Sequence, residues 1–339
     1  MNTVVEVLIT LSLAENQLAR LREISSRLRI NYHPAKKASD VPEEVWGRVE
    51  VLYTDGVLPE PDQAPHLKWI QFHYAGIDAI SGAPILRKPD LTATTLSGAS
   101  TPQMGEYVVM MLLALGHKLP EAFALQARAE WPRDRFERFT PRELRGSTVG
   151  IVGYGSIGRQ VAYLLQPFGV TILAAKHDVM HPEDSDYHLE GMGDPGGDLF
   201  QRLYPIQALP TMLRECDFVV VSIPLTPETR GLIGHAEFEA IKPGAYLVDL
   251  SRGGIVDPQA LLQALQEKKL AGAALDVFAE EPLPPNHPLW KLPNVILTPH
   301  ISGSSPFYLD RAVDLFAENL ERYLTGLPLF NRFDPQRGY

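Results

Sequence analysis

Three polar residues in the second half of the chain have side chains that could together carry out one reaction. Arg252 follows the apolar run AYLVDLS, Glu281 lies in LDVFAEEPL, and His300 closes VILTPH. A guanidinium binds a carboxylate in a planar fork, an imidazole transfers protons near neutral pH, and an ionised carboxylate beside it favours the imidazolium. Reduction of a 2-oxo acid by hydride transfer needs these three functions. Each residue alone also fits a structural role, as a surface arginine, a helix-capping glutamate or a core histidine.

A glycine-rich turn in the middle of the chain indicates where a cofactor binds. The stretch TVGIVGYGSIGRQVAYLL reads as strand, tight turn and helix, with Gly153, Gly155 and Gly158 in the pattern G-x-G-x-x-G. The first glycine permits the turn, the second lets the backbone approach a pyrophosphate, and the third lets the helix pack closely on the strand. The N–H groups at Ser156 and Ile157 then face the phosphates. The pattern predicts a dinucleotide site, and a turn without a ligand is the alternative.

Composition and charge limit the class of protein. The 339 residues suffice for two domains, and 45% hydrophobic with 21% charged residues is typical of a globular chain. A net charge of −10 and a pI near 5.5 disfavour nucleic acid or an anionic membrane as a partner. The single cysteine, Cys216, excludes an internal disulfide and fits a reducing compartment. Glu6 interrupts the first apolar run, and the longest one, Tyr107 to Leu115, is far shorter than a membrane span, so we expect a cytoplasmic protein.

The first 100 residues alternate strand-like and helix-like segments, which predicts a small parallel α/β domain. The predicted helix covers Leu13–Leu28. The turn HYAGIDAI follows the strand that ends at Phe72, and the carboxyl ends of strands are where open α/β sheets bind ligands. The predicted strands are Val4–Thr10, Val49–Thr54, Leu67–Phe72 and Leu91–Thr95.

The alternation resumes after a long apolar helix over Thr101–Leu119, which its periodicity indicates to be buried between domains or subunits. Residues 178–205 are rich in Gly, Asp and Pro, and we expect an irregular, solvent-exposed excursion whose role the sequence does not reveal. Its histidines match no metal-ligand spacing, so no metal is expected. The remaining predicted elements are strands at Val170–Ala174, Phe218–Ile223, Ala245–Leu250, Ala271–Val277 and Val295–Thr298, and helices at Pro258–Glu267 and Leu309–Leu324.

Five motifs, in this order and spacing, resemble the D-isomer-specific 2-hydroxyacid dehydrogenase family: GIVGYGSIG, VVVSIPLTPETRGLI, LVDLSRGGIVD, ALDVFAEEPLPPNHPLW and NVILTPHISG. The resemblance implies an α/β fold of two doubly wound parallel-sheet domains. A Rossmann NAD(P)-binding domain, residues 101–303, is inserted into a flavodoxin-like substrate domain, residues 1–100 and 304–339. It also implies that the protein interconverts a 2-oxo acid and a D-2-hydroxy acid by hydride transfer with NAD(P)(H).

The same resemblance implies roles for individual residues. Arg252 binds the substrate, His300 is the acid/base and Glu281 is its partner. Backbone around three residues of the first domain holds the substrate carboxylate, namely Tyr74, Ala75 and Gly76. Asp276 lies near the nicotinamide amide. The rest of the cofactor cleft is lined by Ile223, Pro224, Thr229, Leu250 and Ser251.

The residue at the end of the second nucleotide-domain strand indicates which dinucleotide binds. In members of the family that prefer NAD, an acidic residue there binds the ribose 2′-hydroxyl. Counting 23 residues from Gly153 reaches Lys176, followed by His177. Two side chains that can carry positive charge suit a 2′-phosphate, so the sequence favours NADP(H). Asp178 keeps NAD(H) open, because a small shift of the turn would bring its carboxylate to the ribose.

Two named residues argue against particular members of the family. Formate dehydrogenases carry a glutamine in place of Glu281, and phosphite dehydrogenases carry a lysine in place of Ala75. Hydroxypyruvate or glyoxylate reduction and a short phosphoglycerate-type activity both stay open. A different class is a dinucleotide-sensing binding module, since the family includes corepressors with the same fold. We expect a homodimer and a small-molecule 2-oxo or 2-hydroxy acid as the substrate.

Overall fold

The computed structural model describes residues 4–335 and 337–339, and the described chain divides into two compact units. The first unit contains Met1–Ala99 and Ser305–Tyr339, and the second contains Ser100–Ser304. Residues 1–3 and 336, which belong to the predicted substrate domain, lie outside the described residues.

The first unit is built on a parallel sheet with the strand order β2-β1-β3-β4-β5. This order reverses direction between β1 and β3, as in flavodoxin-like folds. Its last helix buries Phe316 against the rings of Tyr53 and Trp69, with ring centroids 4.3 and 5.5 Å apart. The elements are β1 (Val5–Ile9), α1 (Glu15–Glu23), β2 (Leu28–Tyr32), α2 (Glu43–Trp46), β3 (Val51–Thr54), β4 (Trp69–Phe72), β5 (Thr92–Thr94) and a C-terminal helix at Tyr308–Thr325.

The prediction of one helix over Leu13–Leu28 is wrong at its C-terminal end. The helix ends at Glu23, and Leu28–Tyr32 forms strand β2 at the edge of the sheet. An edge strand has one neighbour and is only partly covered, so its sequence, LRINY, lacks the continuous apolar run of the buried strands beside it. The hydrophobic pattern therefore did not reveal it.

The second unit contains a parallel sheet with the order β12-β11-β10-β9-β6-β7-β8, which is the Rossmann order extended by one strand. Together the two sheets confirm the predicted fold class. The strands are β6 (Thr148–Val152), β7 (Thr171–Lys176), β8 (Arg202–Pro205), β9 (Phe218–Val221), β10 (Ala245–Asp249), β11 (Leu270–Leu275) and β12 (Val295–Leu297). The helices are α3 (Thr101–Gly116), α4 (Leu119–Ala127), α5 (Arg135–Arg138), α6 (Ser156–Leu165), α7 (Leu209–Leu213), α8 (His235–Ala240) and α9 (Pro258–Gln266), and the C-terminal helix of the first unit is α10.

Helix α3 is buried, as its apolar periodicity predicts, and its buried side chains pack within the core of the second unit itself. Val108, Leu112 and Leu115 are nearly inaccessible to solvent and belong to the core beneath the sheet. A Cβ on Gly105 would lie 2.8 Å from the Gln160 side chain, so this glycine allows α3 to approach α6 closely. Among the described residues no single helix is long and apolar enough to cross a membrane. In the described part of the chain, α3 and α4 together have the length and composition of a span, but they are bent by 67° at their junction.

The expectation that residues 178–205 form an irregular, exposed excursion holds for most of the segment and is wrong at its C-terminal end. Arg202–Pro205 is strand β8, which pairs with β7 at the edge of the sheet. The segment between these strands, residues 177–201 and hereafter the β7–β8 connection, has no regular secondary structure but is partly buried, with Asp194 only 5% exposed. Polar contacts hold it in place, and such contacts have no periodicity in the sequence.

Candidate active site

The structure explains the glycines of the G-x-G-x-x-G turn between β6 and α6. Gly153 has a φ of +104°, and an added Cβ would lie 2.6 Å from Cγ2 of Ile223. A Cβ on Gly158 would lie 2.2 Å from the Gly153 carbonyl oxygen, so the helix packs directly on the strand end. Around Gly155 nothing lies within 4 Å of an added Cβ, which leaves open space at the middle of the turn.

This open turn fits the phosphates of a dinucleotide. Helix α6 begins at Ser156, and the first N–H groups of a helix have no acceptor within the helix itself. The amides of Ser156 and Ile157 therefore face the space next to Gly155, at the positive end of the helix dipole. A glycine backbone with free space beside it and a helix N-terminus at its edge is suited to a pyrophosphate.

Lys176 and His177 lie at the carboxyl end of β7, where the sequence predicts the cofactor ribose. The Lys176 ammonium donates a hydrogen bond to the His181 carbonyl oxygen at 2.7 Å, while His177 is exposed. Asp178 accepts hydrogen bonds from the Met180 amide at 3.0 Å and pairs with Nδ1 of His181 at 2.8 Å. The carboxylate of Asp178 is thus engaged within its own turn.

The predicted lining residues follow strands β9 and β10. Ile223 is buried against the glycine turn, and Leu250 is 2% exposed. The Thr229 hydroxyl donates to the Pro224 carbonyl oxygen at 2.7 Å, which closes the turn PLTPET. Ser251 donates both its amide and its hydroxyl to the Asp249 carboxylate. These contacts give the carboxyl edge of the sheet a fixed shape.

Asp249 is a buried acid for which the sequence carried no signal. Burial raises the pKa of this carboxyl group to about 7, and the nearby Asp276 acts in the same direction, whereas the hydrogen bonds from Ser251 oppose the shift. The folded pKa lies above the unfolded value of about 3.9. The protonated form therefore stabilises the fold at low pH, and this contribution is lost as the pH rises from about 4 through 7.

We expect Asp249→Asn to remove the decrease in stability that the ionisation of Asp249 causes as the pH rises. Asparagine keeps an oxygen for Ser251 but carries no charge, so the free energy of unfolding of the variant relative to wild type should increase between pH 5 and pH 8. The ceiling is about 1.4 kcal/mol for each pH unit between the two pKa values. Urea unfolding at both pH values measures the free energy of unfolding of the variant and of wild type. Asp62→Asn, which changes an exposed aspartate, is the control. An identical difference at the two pH values would contradict the prediction.

The three residues proposed for chemistry lie on segments that the fold brings together. Glu281 accepts a hydrogen bond from the Phe278 amide at 2.9 Å, and its other oxygen lies 2.8 Å from Nδ1 of His300. A Cβ on Gly253 would lie 1.8 Å from the Phe278 carbonyl oxygen, so the turn after Arg252 packs directly on the loop that leads to Glu281. The Arg252 guanidinium also donates to the Ser251 carbonyl oxygen at 2.9 Å.

His300 has an unusual backbone conformation that the sequence did not indicate. Its φ is +53°, in the left-handed region that non-glycine residues rarely adopt. The fully buried Asp276 holds this turn, accepting hydrogen bonds from the amides of Ile301 and Ser302 at 2.9 Å each and from the Thr298 hydroxyl at 2.6 Å. Asp276, which the resemblance places near the nicotinamide amide, lies beneath the His300 turn with both oxygens engaged.

Tyr107 extends this network into helix α3. Its hydroxyl lies 2.7 Å from the Thr298 hydroxyl, and burial raises the pKa of Tyr107 to about 12. In the sequence Tyr107 is one position of an apolar stripe, so its periodicity indicated only a core residue. The tertiary structure adds a polar role, because Tyr107, Thr298 and Asp276 form one chain of contacts under the His300 turn.

The predicted carboxylate turn lies in the first unit, directly after β4. Tyr74 and Ala75 are exposed and Gly76 is half-buried. Below them, Nδ1 of His73 lies 2.8 Å from the Tyr53 hydroxyl, and the Tyr308 hydroxyl donates to the His73 carbonyl oxygen at 2.5 Å. Burial lowers the pKa of His73 to about 4, so this imidazole is neutral at pH 7 and anchors the turn by hydrogen bonding.

Fold and site together define a class of protein. A parallel sheet in Rossmann order, a glycine turn open to phosphates and a histidine–glutamate pair at the carboxyl edge are the parts of a nicotinamide-dependent dehydrogenase. Within residues 4–335 and 337–339, no group of three or more His, Cys, Asp or Glu side chains could hold a metal ion.

The comparison with protein families names the group. A family model described as D-isomer specific 2-hydroxyacid dehydrogenase, NAD binding domain, matches residues 109–302. The chain belongs to the D-isomer specific 2-hydroxyacid dehydrogenase family. It is an NAD(P)-dependent oxidoreductase of 2-hydroxy acids, as predicted.

Individual relatives agree with this assignment. A glyoxylate reductase from Thermofilum pendens is 37% identical over 277 residues, which cover 81% of this chain and 77% of the relative. A D-isomer specific 2-hydroxyacid dehydrogenase from Xanthobacter autotrophicus Py2, solved with NADPH and MES, has a TM-score of 0.80 and 27% identity, covering 99% and 100% of the two chains. An NADPH-dependent glyoxylate/hydroxypyruvate reductase from Sinorhizobium meliloti, solved with NADP and sulfate, has a TM-score of 0.76 and 25% identity with the same coverage. None of these supports the alternative of a dinucleotide-sensing binding module.

Proposed function

We propose that this enzyme reduces a small 2-oxo acid, glyoxylate or hydroxypyruvate, to the D-2-hydroxy acid, with NADPH as the preferred donor. The observation that carries the proposal is the contact of 2.8 Å between His300 and Glu281, in a turn held by Asp276. An imidazole beside a carboxylate is a competent proton donor to a developing alkoxide. The names of the glyoxylate reductase from Thermofilum pendens and the reductase from Sinorhizobium meliloti support the choice of substrate.

Each residue has a separate task in the proposed reaction. The nicotinamide, when bound, supplies the hydride that reduces the carbonyl carbon. His300 donates a proton to the carbonyl oxygen, and Glu281 orients the imidazole through its contact with Nδ1. The guanidinium of Arg252 binds the carboxylate and polarises the carbonyl group. For the backbone at Tyr74, Ala75 and Gly76 we propose a separate role in binding the substrate carboxylate.

We propose that the two units bind different ligands. The unit Ser100–Ser304 binds the cofactor, and the unit formed by Met1–Ala99 and Ser305–Tyr339 carries the carboxylate turn. Cofactor contacts are proposed at the glycine turn, at the end of β7 and after strands β9 to β11. The residues are Gly153, Gly155, Ser156, Ile157, Gly158, Lys176, His177, Ile223, Pro224, Thr229, Leu250, Ser251 and Asp276.

A panel of 2-oxo acids tests the proposed function. Oxidation of NADPH and of NADH is followed with glyoxylate, hydroxypyruvate, pyruvate, a branched 2-oxo acid and 3-phosphohydroxypyruvate. We expect the highest kcat/KM for glyoxylate or hydroxypyruvate with NADPH. A preference for 3-phosphohydroxypyruvate would identify the phosphoglycerate-type activity instead, and cofactor binding without turnover of any acid would contradict the proposal.

The preference for NADPH rests on Lys176 and His177 at the end of β7. We expect Lys176→Asp to lower the ratio of kcat/KM for NADPH to that for NADH by about tenfold or more, because a carboxylate binds ribose hydroxyls and repels a 2′-phosphate. The control is Lys291→Asp, which makes the same charge change at an exposed position. An unchanged ratio in Lys176→Asp would show that Lys176 does not contact the ribose.

We also propose that the protein is a homodimer and acts in the cytoplasm. Three large apolar side chains around and after helix α4 are strongly exposed in the single chain, with Phe123 at 57%, Trp131 at 83% and Phe136 at 79%. Exposed apolar side chains in one segment favour an interface. Light scattering on the purified protein tests this, and a monomer at all concentrations would refute it. The one cysteine, Cys216, is a buried free thiol, which suits a reducing compartment.

A further inference from the structure

Arg159, the residue after the last glycine of the cofactor turn, is buried in an unusual setting. Its side chain is 3% exposed although it lies on helix α6. The two terminal nitrogens donate to the carbonyl oxygens of Asp194 at 2.5 Å and Pro182 at 2.6 Å, and Nε lies 3.2 Å from the Asp184 carboxylate. A single guanidinium thus ties both limbs of the β7–β8 connection to the cofactor-binding helix.

Neighbouring residues of the same motif strengthen this attachment. The Tyr154 hydroxyl donates to the Asp194 carboxylate at 2.6 Å, and the Arg159 guanidinium lies over the Tyr154 ring at 4.9 Å. Gln160 accepts a hydrogen bond from the Gly193 amide at 2.8 Å. Burying a charged guanidinium is costly unless charge-assisted hydrogen bonds compensate, and here they all go to the connection.

The connection also reaches Lys176, the residue proposed to select the cofactor. Two consecutive backbone carbonyl groups accept hydrogen bonds from two cations. The His181 carbonyl oxygen accepts from the Lys176 ammonium at 2.7 Å, and the Pro182 carbonyl oxygen accepts from the Arg159 guanidinium at 2.6 Å. The peptide between them is therefore held at both ends. Burial and the neighbouring Arg159 charge lower the pKa of Lys176, which agrees with the two cations lying close together.

We propose that Arg159 is a positioning residue for cofactor selection, because it fixes the β7–β8 connection so that the His181 carbonyl holds the Lys176 ammonium in one place. A lysine held in place binds a phosphate without losing further side-chain freedom. NADH has no 2′-phosphate, so its binding does not depend on this arrangement. The inference rests on the proposed role of Lys176 in contacting the ribose.

Two substitutions of Arg159 test the inference. Arg159→Met removes the guanidinium. Arg159→Lys keeps the charge but cannot donate hydrogen bonds to the carbonyl oxygens of Pro182 and Asp194 at once. We expect kcat/KM for NADPH to fall by about tenfold in Arg159→Met, the equivalent of one charge-assisted hydrogen bond, while the value for NADH changes less than about twofold. Arg159→Lys should shift the NADPH/NADH ratio in the same direction.

A measurement without cofactor checks the structural half of the inference. Hydrogen exchange of the cofactor-free enzyme should be faster at the amides of residues 182–199 in both variants, with the rest of the unit unchanged. The matched control is Arg202→Met, which removes a charge from a side chain that is 64% exposed and bonds Tyr204. This control should keep the wild-type ratio and the wild-type exchange.

The outcomes separate this inference from the proposed function. If Lys176→Asp shifts the NADPH/NADH ratio but Arg159→Met does not, the positioning role is wrong and the proposed function stands. If Lys176→Asp leaves the ratio unchanged, the proposed role of Lys176 is wrong, and the inference about Arg159, which depends on that role, is wrong as well. A wild-type ratio in Arg159→Lys would assign the effect to charge alone and overturn the inference. Should Arg159→Met fail to fold, Tyr154→Phe removes a single bond to Asp194 and should produce a smaller shift in the same direction.

Discussion

His300→Asn is expected to lower kcat for 2-oxo acid reduction by about 10²- to 10⁴-fold, the usual contribution of a general acid. Asparagine is chosen because it tolerates the left-handed backbone at this position, where φ is +53°. It can still hydrogen-bond to Glu281 but cannot deliver a proton. Steady-state kinetics with NADPH and glyoxylate measure the loss.

Cofactor binding separates a catalytic role of His300 from a structural one. The dissociation constant for NADPH, measured by fluorescence, should stay close to the wild-type value, because His300 is proposed to act on the substrate. The exposed His66→Asn serves as the control and should keep wild-type kcat. A large loss of NADPH affinity in His300→Asn would place this histidine in the cofactor site.

The second large effect is expected at Arg252. Arg252→Gln removes the charge and the fork that are proposed to bind the substrate carboxylate, which typically costs about 2–5 kcal/mol for an interaction of this kind. The expected fall in kcat/KM for the 2-oxo acid is therefore at least about 30-fold. Arg252→Lys should recover only part of the loss, since an ammonium cannot form two parallel hydrogen bonds.

The pattern of kinetic constants tests the role of Arg252. A residue that binds the substrate before and during the reaction should raise KM for the 2-oxo acid, and one that also polarises the carbonyl should lower kcat as well. Arg87→Gln, an exposed arginine in the first unit, should change neither constant. If Arg252→Gln changed only the KM for NADPH, the proposed carboxylate contact would be wrong.

The sequence predicts the central elements of both sheets well because these strands are buried on both faces. The runs around β6, β9, β10 and β11 are continuous and apolar, and each lies where it was expected to within a few residues. The strands that were missed, β2 and β8, are edge strands with mixed composition. Local hydrophobic patterns describe burial, so elements with little burial are poorly predicted.

The candidate site is predictable in residue type but not in its supporting contacts. Residue chemistry and family resemblance together pointed to the pairing of Glu281 with His300. The Tyr107–Thr298 contact joins residues 191 positions apart, and Asp276 reaches the His300 turn across 25 and 26 positions. Neither partner has a local signal for the other, because such contacts exist only after the strands have assembled.

The sequence by itself determined the parallel α/β class, the glycine turn and the residue types that could reduce a 2-oxo acid. These features depend on local backbone sterics, hydrophobic periodicity and side-chain chemistry, which neighbouring residues specify. Only the tertiary structure decided that His300 adopts a left-handed conformation over Asp276 and that Arg159 is buried beneath the β7–β8 connection. Both depend on buried polar groups finding partners far away in the chain, and burial makes each such pairing obligatory.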